Sequence, residues 1–221
     1  MHQQTLQQVP RIVVLISGSG SNLQTLIDAI EAQTIVATID LVISNNPEAM
    51  GLMRARKAGI ATQVINHLDH SSRAAFDHEL IRAIDEKQPE LVVLAGFMRI
   101  FTAELTHHYH GRMLNIHPSL LPSFKGINTH ERAIEAEVEQ HGASVHFVTS
   151  ELDGGPIVLQ AVVPVFGEDS PSLLAARVLV QEHVIYPITI KWFCEGRLKL
   201  QDNCVTMDDQ PLPTQGIVHQ A

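Results

Sequence analysis

An amide and an imidazole stand two residues apart in GRMLNIHPSLLPSFKG, Gly111 to Gly126, and an acid in a glycine turn follows at Asp153 to Gly155. Asn115 and Ile116 close a short apolar run that predicts the end of a strand. Side chains at i and i+2 of a strand leave the same face, so Asn115 and His117 should point together. Pro118 cannot continue a hydrogen-bonded ladder and biases the residue before it towards extended backbone, which puts His117 where a strand runs out into a loop. In an open α/β sheet that is where ligands are bound. A carboxylate such as Asp153 beside the ring would fix its tautomer and favour its protonated form. Such a set is suited to meeting charge that develops on a substrate oxygen and to moving a proton.

A second candidate lies near the start. SGSGSN, Ser17 to Asn22, falls between an apolar run and a helical pattern. Glycine there permits a positive φ and close backbone approach, and the amides of Gly20, Ser21 and Asn22 at a helix start would face an oxyanion. A dinucleotide fingerprint fails in detail: Gly18 and Gly20 fit its first two glycines, but Leu23 stands where the third belongs, and the next strand ends in Ser44 and Asn45 without a ribose-binding acid. No GK[ST] follows to make a Walker loop. The competing expectation is a tight turn that holds nothing. Thirteen histidines raise the question of a metal. The densest group, His107, His108 and His110, sits at a predicted helix end where histidine suits the dipole, with no HExxH or cysteine partner, so no metal site is expected. His146 alternates with Val145 and Phe147 and is expected to be a core histidine of a strand.

The elements that must position these groups follow from periodicity. Arg11–Ser17, Ile39–Ser44, Thr62–Ile65, Leu91–Ala95 and Met113–Ile116 are short apolar runs with the pattern of strands buried on both faces. Helical stretches, Asn22–Glu31, Glu48–Ala58 and Arg73–Glu86, are interleaved with them, which argues α/β: a single-domain, open, twisted and mostly parallel sheet with helices on both faces. After His117 the pattern predicts a helix over Thr129–Glu139, strands Ser144–Thr149 and Ile157–Val165 flanking the glycine turn in an antiparallel pair, and one long helix, Ser170–Phe193, that Pro187 should end or kink. Leu198–Leu200 and Cys204–Met207 predict a small C-terminal hairpin.

With 221 residues, 45% of them hydrophobic, the chain can bury one full core. Residues 11–221 are expected to form it, after a disordered leader over residues 1–10 without the features of a signal peptide. A net charge of -9 argues against a polynucleotide or acidic membrane as partner but leaves room for a small anion held by backbone amides. Two cysteines in no metal spacing point to a reducing, cytoplasmic setting.

With these residues laid out, the chain resembles the phosphoribosylglycinamide formyltransferases, which use 10-formyltetrahydrofolate in purine synthesis. The resemblance rests on VVLISGSGSNLQTLID, LVVLAGFMRI, GRMLNIHPSLLPSFKG, HGASVHFV, ELDGGPI and QEH, in order from about Arg11. The N-x-H-P-S-L-L-P string with a later D-x-G is shared with methionyl-tRNA formyltransferases and formyltetrahydrofolate hydrolases. The first add a C-terminal domain for which this length has no room, and the second an N-terminal regulatory domain for which the short leader has none. The resemblance implies a Rossmann-like formyltransferase fold and a catalytic set of Asn115, His117 and Asp153. It implies a ribonucleotide site at Gly20, Ser21, Asn22 and Glu182, and a folate site at Arg73, Met98, Arg99, Ile100, Phe101, Asn115, Leu152 and Asp153. Leu179 departs from the polar side chain relatives often carry near the phosphate. The partners implied are small molecules, glycinamide ribonucleotide and 10-formyltetrahydrofolate, acting on a monomer or homodimer without metal, nucleic acid or membrane. Hydrolysis of the formyl-folate and non-catalytic nucleotide binding are the alternatives.

Overall fold

The computed structural model describes residues 9–219. Residues 1–8 of the expected leader lie outside them. In chain order the elements are β1 (Arg11–Ile16), α1 (Ser21–Glu31), β2 (Thr38–Ser44), α2 (Met50–Lys57), β3 (Thr62–Val64), α3 (Arg73–Asp85), β4 (Leu91–Leu94), α4 (Ala103–His108) and β5 (Met113–His117). Then follow α5 (Thr129–Glu135), β6 (Gln140–Phe147), β7 (Ile157–Pro164), α6 (Pro171–Cys194), β8 (Leu198–Gln201), β9 (Cys204–Met207), β10 (Gln210–Pro211) and β11 (Ile217–His219).

The main sheet runs β11-β7-β6-β5-β4-β1-β2-β3. Neighbours are parallel except at β6–β7, antiparallel as expected of the strands around the glycine turn, and at β5–β6, whose antiparallel pairing was not expected. Alternation along β1 shows why both faces are apolar: Ile12, Val14 and Ile16 join a core with Leu23, Leu52, Leu174 and Tyr186, while Val13 and Leu15 join a second with Phe76, Leu80 and Leu105. So α1, α2, α5 and α6 cover one face, and α3 and α4 the other. β1 and β4 are neighbours although β1 leads to β2 on its far side. The strand order therefore reverses between β1 and β4, and the crevice beyond their carboxyl ends is where such a sheet takes a ligand.

The stop at Pro187 and several boundaries need correction, while the C-terminal hairpin forms as expected and is extended. α6 continues through Pro187 rather than ending there. Thirteen residues of the helix lie between its Pro171–Ser172 start and the turn around Tyr186, and the side chains of Leu174, Val178, Ile185, Tyr186 and Ile190 are all buried. Packing of that face outweighs the one backbone bond a proline removes. The C-terminal hairpin is the β8–β9 part of a three-stranded sheet completed by β10, its tight turn made by Asp202 and Asn203 at φ 49 and 60. The tail then returns to the main sheet as β11, beside β7. Boundaries also moved: β6 begins at Gln140 rather than Ser144, and α5 stops at Glu135.

Candidate active site

Gly20 turns the chain from β1 into α1 at φ 68, and a Cβ there would sit 2.5 Å from the Cα of Gly51 on α2. Only glycine fits both conditions. The loop is braced from α2, with the Gly51 amide donating to the Gly18 carbonyl at 3.1 Å and Arg54 Nε to the Ser19 carbonyl at 2.9 Å. No side chain caps α1. Its first amides are therefore left facing a cavity of about 430 Å³ lined by Gly20, Ser21, Asn22, Ala95, Gly96, Leu179 and Glu182. Asn22 Nδ2 donates to Glu182 Oε2 at 2.7 Å. Burial raises the Glu182 pKa and this bond partly offsets it. All four residues expected at the ribonucleotide site thus come together, around the switch point of the sheet. Met98, expected with the folate residues, lines this cavity too, and its amide donates to Ser17 Oγ at 2.7 Å.

Around the other side of β5 lies a narrower cleft, about 90 Å³, lined by Arg99, Ile100, Phe101, Asn115, His146, Leu152 and Asp153. The rings of Phe97 and Phe101 stack with centroids 5.4 Å apart, and Ile100 and Leu152 are exposed at its rim. Arg73 is not among the residues lining the cleft; it stands exposed at the start of α3, near Asp77.

The two cavities flank β5, with Ile116 lining the first and Asn115 the second, and His117 ends the strand. His117 Nδ1 lies 3.5 Å from Asp153 Oδ2, and His117 Nε2 lies 3.0 Å from the carbonyl of Phe124, to which it donates. Both ring nitrogens face oxygens, and the side chain is 7% exposed. Asp153 is held in turn: it takes a left-handed φ of 47, its Oδ2 accepts the Gly126 amide at 2.9 Å, and a Cβ on Gly155 would meet the Phe147 carbonyl at 1.8 Å. The glycine turn is thus required by close backbone approach.

The residue that sequence reasoning missed is His146. It is a buried strand histidine as expected, but the β5–β6 register sets it directly opposite Asn115. Burial lowers its pKa to about 4, so it is neutral near pH 7. Its Nδ1–H donates to the Phe147 carbonyl at 2.9 Å, which leaves Nε2 as an acceptor only. The group of Asn115 facing that nitrogen at 3.1 Å must then be its NH2. One amide hydrogen is spent on His146 and the other is left for the cleft. Two buried side chains fasten the loop over His117: Gln160 Nε2 donates to the Leu121 carbonyl at 2.9 Å, and Ser144 Oγ to the Ser119 carbonyl at 2.6 Å. The signal for His146 and Ser144 was their alternation on β6, which becomes informative only once the antiparallel register to β5 is known.

The histidines at 107, 108 and 110 behave as surface groups. His108 Nε2 meets Asp85 Oδ2 at 2.9 Å, and no cluster of three or more His, Cys, Asp or Glu suited to a metal occurs among the described residues.

A cavity at a helix start and an amide, an imidazole and a carboxylate near one strand end are the features of the site, and the formyl transferase family's sequence pattern matches residues 10–190. The chain is 56% identical over 205 residues to the phosphoribosylglycinamide formyltransferase of Escherichia coli strain K12, covering 93% of this chain and 97% of that one. It is 48% identical to the enzyme of the same name from Haemophilus influenzae, over 95% of this chain and 99% of that one. Among solved structures, the phosphoribosylglycinamide formyltransferase of Coxiella burnetii superposes with a TM-score of 0.91 at 47% identity, over 95% of this chain and 98% of that one. The chain belongs to the phosphoribosylglycinamide formyltransferase family.

Proposed function

We propose that this enzyme transfers the formyl group of 10-formyltetrahydrofolate to the amine of glycinamide ribonucleotide, giving N-formylglycinamide ribonucleotide and tetrahydrofolate in purine biosynthesis. The observation that carries the reading is two adjacent cavities lined by successive residues, Ala95 and Leu94, Met98 and Arg99, Ile116 and Asn115, with His117 against Asp153 at the same strand end. One has a helix start suited to a phosphate and the other stacked aromatic and exposed apolar residues suited to a flat heterocycle.

The amine is itself the nucleophile. As its lone pair bonds to the formyl carbon, the carbonyl π pair moves to oxygen, and the amine nitrogen becomes positive. Asn115 supplies a hydrogen-bond donor to that oxygen with the Nδ2 hydrogen that His146 leaves over. Asp153 takes the proton of the attacking nitrogen by way of water; the oxygen's electron pair then re-forms the carbonyl, and the bond to the folate nitrogen breaks as that nitrogen takes up the proton Asp153 received. His117 stands behind the site and orients Asp153 through their contact; handing a proton directly to the formyl oxygen would require Nε2 to leave the Phe124 carbonyl. Gly20, Ser21 and Asn22 hold the ribonucleotide phosphate and Glu182 its sugar end. Arg99, Ile100, Phe101, Asn115, Leu152 and Asp153 hold the folate, with Met98 between the two ligands and Arg73 at the outer edge. Leu179 lines the phosphate cavity without a charge or polar group, so the phosphate rests mainly on backbone amides.

The net charge of -9 supports small-molecule substrates over nucleic acid or an acidic membrane, and the free Cys194 and Cys204 support a cytoplasmic setting. α6, the one described helix long and apolar enough to span a bilayer, is spoken for by packing on the sheet.

The test is to mix the protein with 10-formyltetrahydrofolate, with and without glycinamide ribonucleotide, and follow free tetrahydrofolate. Release only when both are present supports transfer. Release without the ribonucleotide indicates hydrolysis, and ligand binding without any release indicates a binding module.

A further inference from the structure

The segment from Met98 to Thr102 separates the two cavities, and side chains of other elements tie both of its ends. Ser17 Oγ accepts the Met98 amide at 2.7 Å, and Asp77 Oδ2 accepts the Thr102 amide at 2.6 Å. Asp77 is on α3, 1% exposed, between the core residues Phe76 and Leu80. Its other oxygen, Oδ1, is buried with no hydrogen-bond partner among the described residues. Burial raises its pKa, the Thr102 bonds and the charge of Arg73 acting the other way. An apolar residue would avoid that desolvation cost on the same face of the helix. What the carboxylate does instead is hold one amide, at the residue that ends the Arg99–Phe101 lining of the folate cleft and caps α4 through Thr102 Oγ1. Arg73, one turn earlier on α3, belongs to the same arrangement rather than to the cleft wall.

We propose that Asp77 is a positioning residue for the formyl-folate, fixing through the Thr102 amide where Arg99, Ile100 and Phe101 stand and so the width of the cleft. The inference rests on the function proposed above. The cleft is narrow, so a shift of this segment should alter folate binding before it alters the ribonucleotide cavity, whose own edge of the segment is fixed separately at Ser17.

The test is steady-state kinetics on the full chain with each substrate varied, for wild type, Asp77→Ala and Asp77→Asn. Loss of a hydrogen bond to a charged group predicts a rise of about tenfold in KM for 10-formyltetrahydrofolate in Asp77→Ala, with KM for glycinamide ribonucleotide within about twofold. Asp77→Asn keeps an acceptor for Thr102 and should recover most of the loss. Should the alanine chain fail to fold, Asp77→Ser, whose hydroxyl stops short of Thr102, takes its place. A folded Ala or Ser variant with unchanged folate KM, or with both KM values raised alike, overturns the proposal while wild-type turnover leaves the enzyme's function standing. A wild-type chain without transfer overturns both.

Discussion

At the scale of single residues, the chemistry depends on which hydrogens are free. Asn115 has one amide hydrogen committed to His146 and one left over, and that division exists because His146 is neutral and has given its own N–H to Phe147. Asn115→Ala should therefore lower kcat by about a hundredfold to a thousandfold with little change in ribonucleotide KM, the signature of a donor that acts mainly in the transition state. His146→Leu removes the acceptor that orients the amide, and should cost roughly tenfold in kcat. Steady-state kinetics of the pair decides: if the two variants lose rate equally, the amide has no separate role. The closeness of these residues was legible in the sequence, because Asn115 and His117 share a strand end and a glycine turn is a familiar way to present an acid, and Asp153 does lie by both; their catalytic roles are the proposal. His146 was not, because its place depends on antiparallel register, which no local pattern carries. Nor was the division of Met98 from Arg99–Phe101, since consecutive residues of one loop were free to face different cavities.

At the scale of elements, the phosphate cradle depends on α1 and α2 touching through Gly20 and Gly51. Gly20→Ala adds a Cβ at 2.5 Å from Gly51 and forces a side chain into φ 68, so the β1–α1 turn must move. The expected result is KM for the ribonucleotide raised by about tenfold or more, corresponding to roughly 1–2 kcal/mol of strain, with folate KM changed far less. Kinetics with each substrate varied measures it, and an unchanged ribonucleotide KM would remove the cradle from the account. The glycines and the strand-to-helix change were readable here, whereas the partner of Gly20 was not: Gly51 lies on another helix, and its role is a matter of packing. The tail shows the same limit. β10 and β11 are only two and three residues long, and such short pairings with the β9 and β7 edges carry too little alternation to be seen in advance. Pro187 failed as a stop signal for the opposite reason, a long apolar face that holds α6 together across it.

At the scale of the whole molecule, burying histidines beside the site links stability to pH. Burial is the first cause that lowers the pKa of both His141 and His146 to about 4, against about 6.5 in an unfolded chain. Between those values the unfolded chain binds protons that the folded chain refuses, so this contribution is complete above about pH 6.5 and is lost as pH falls towards 4. Asp77 and Glu182, whose pKa values burial raises, act in the opposite sense. Chemical denaturation at pH 7 and pH 5 separates them: His141→Asn should show a smaller loss of stability between the two than wild type, and an identical loss would mean that His141 does not titrate on unfolding. The fold class was legible because alternating strands and helices leave few topologies, but the placement of the first cavity at the β1–β4 switch point and of the second beside β4, β5 and β6 needed the strand order. The most direct measurement of the central claim is single-turnover formyl transfer at saturating substrates by Asp153→Asn, beside its equilibrium Kd for glycinamide ribonucleotide. The transfer rate should fall by roughly a hundredfold or more while Kd stays within about twofold; a rate near wild type, or a matching loss of affinity, would contradict the role of the carboxylate beside His117.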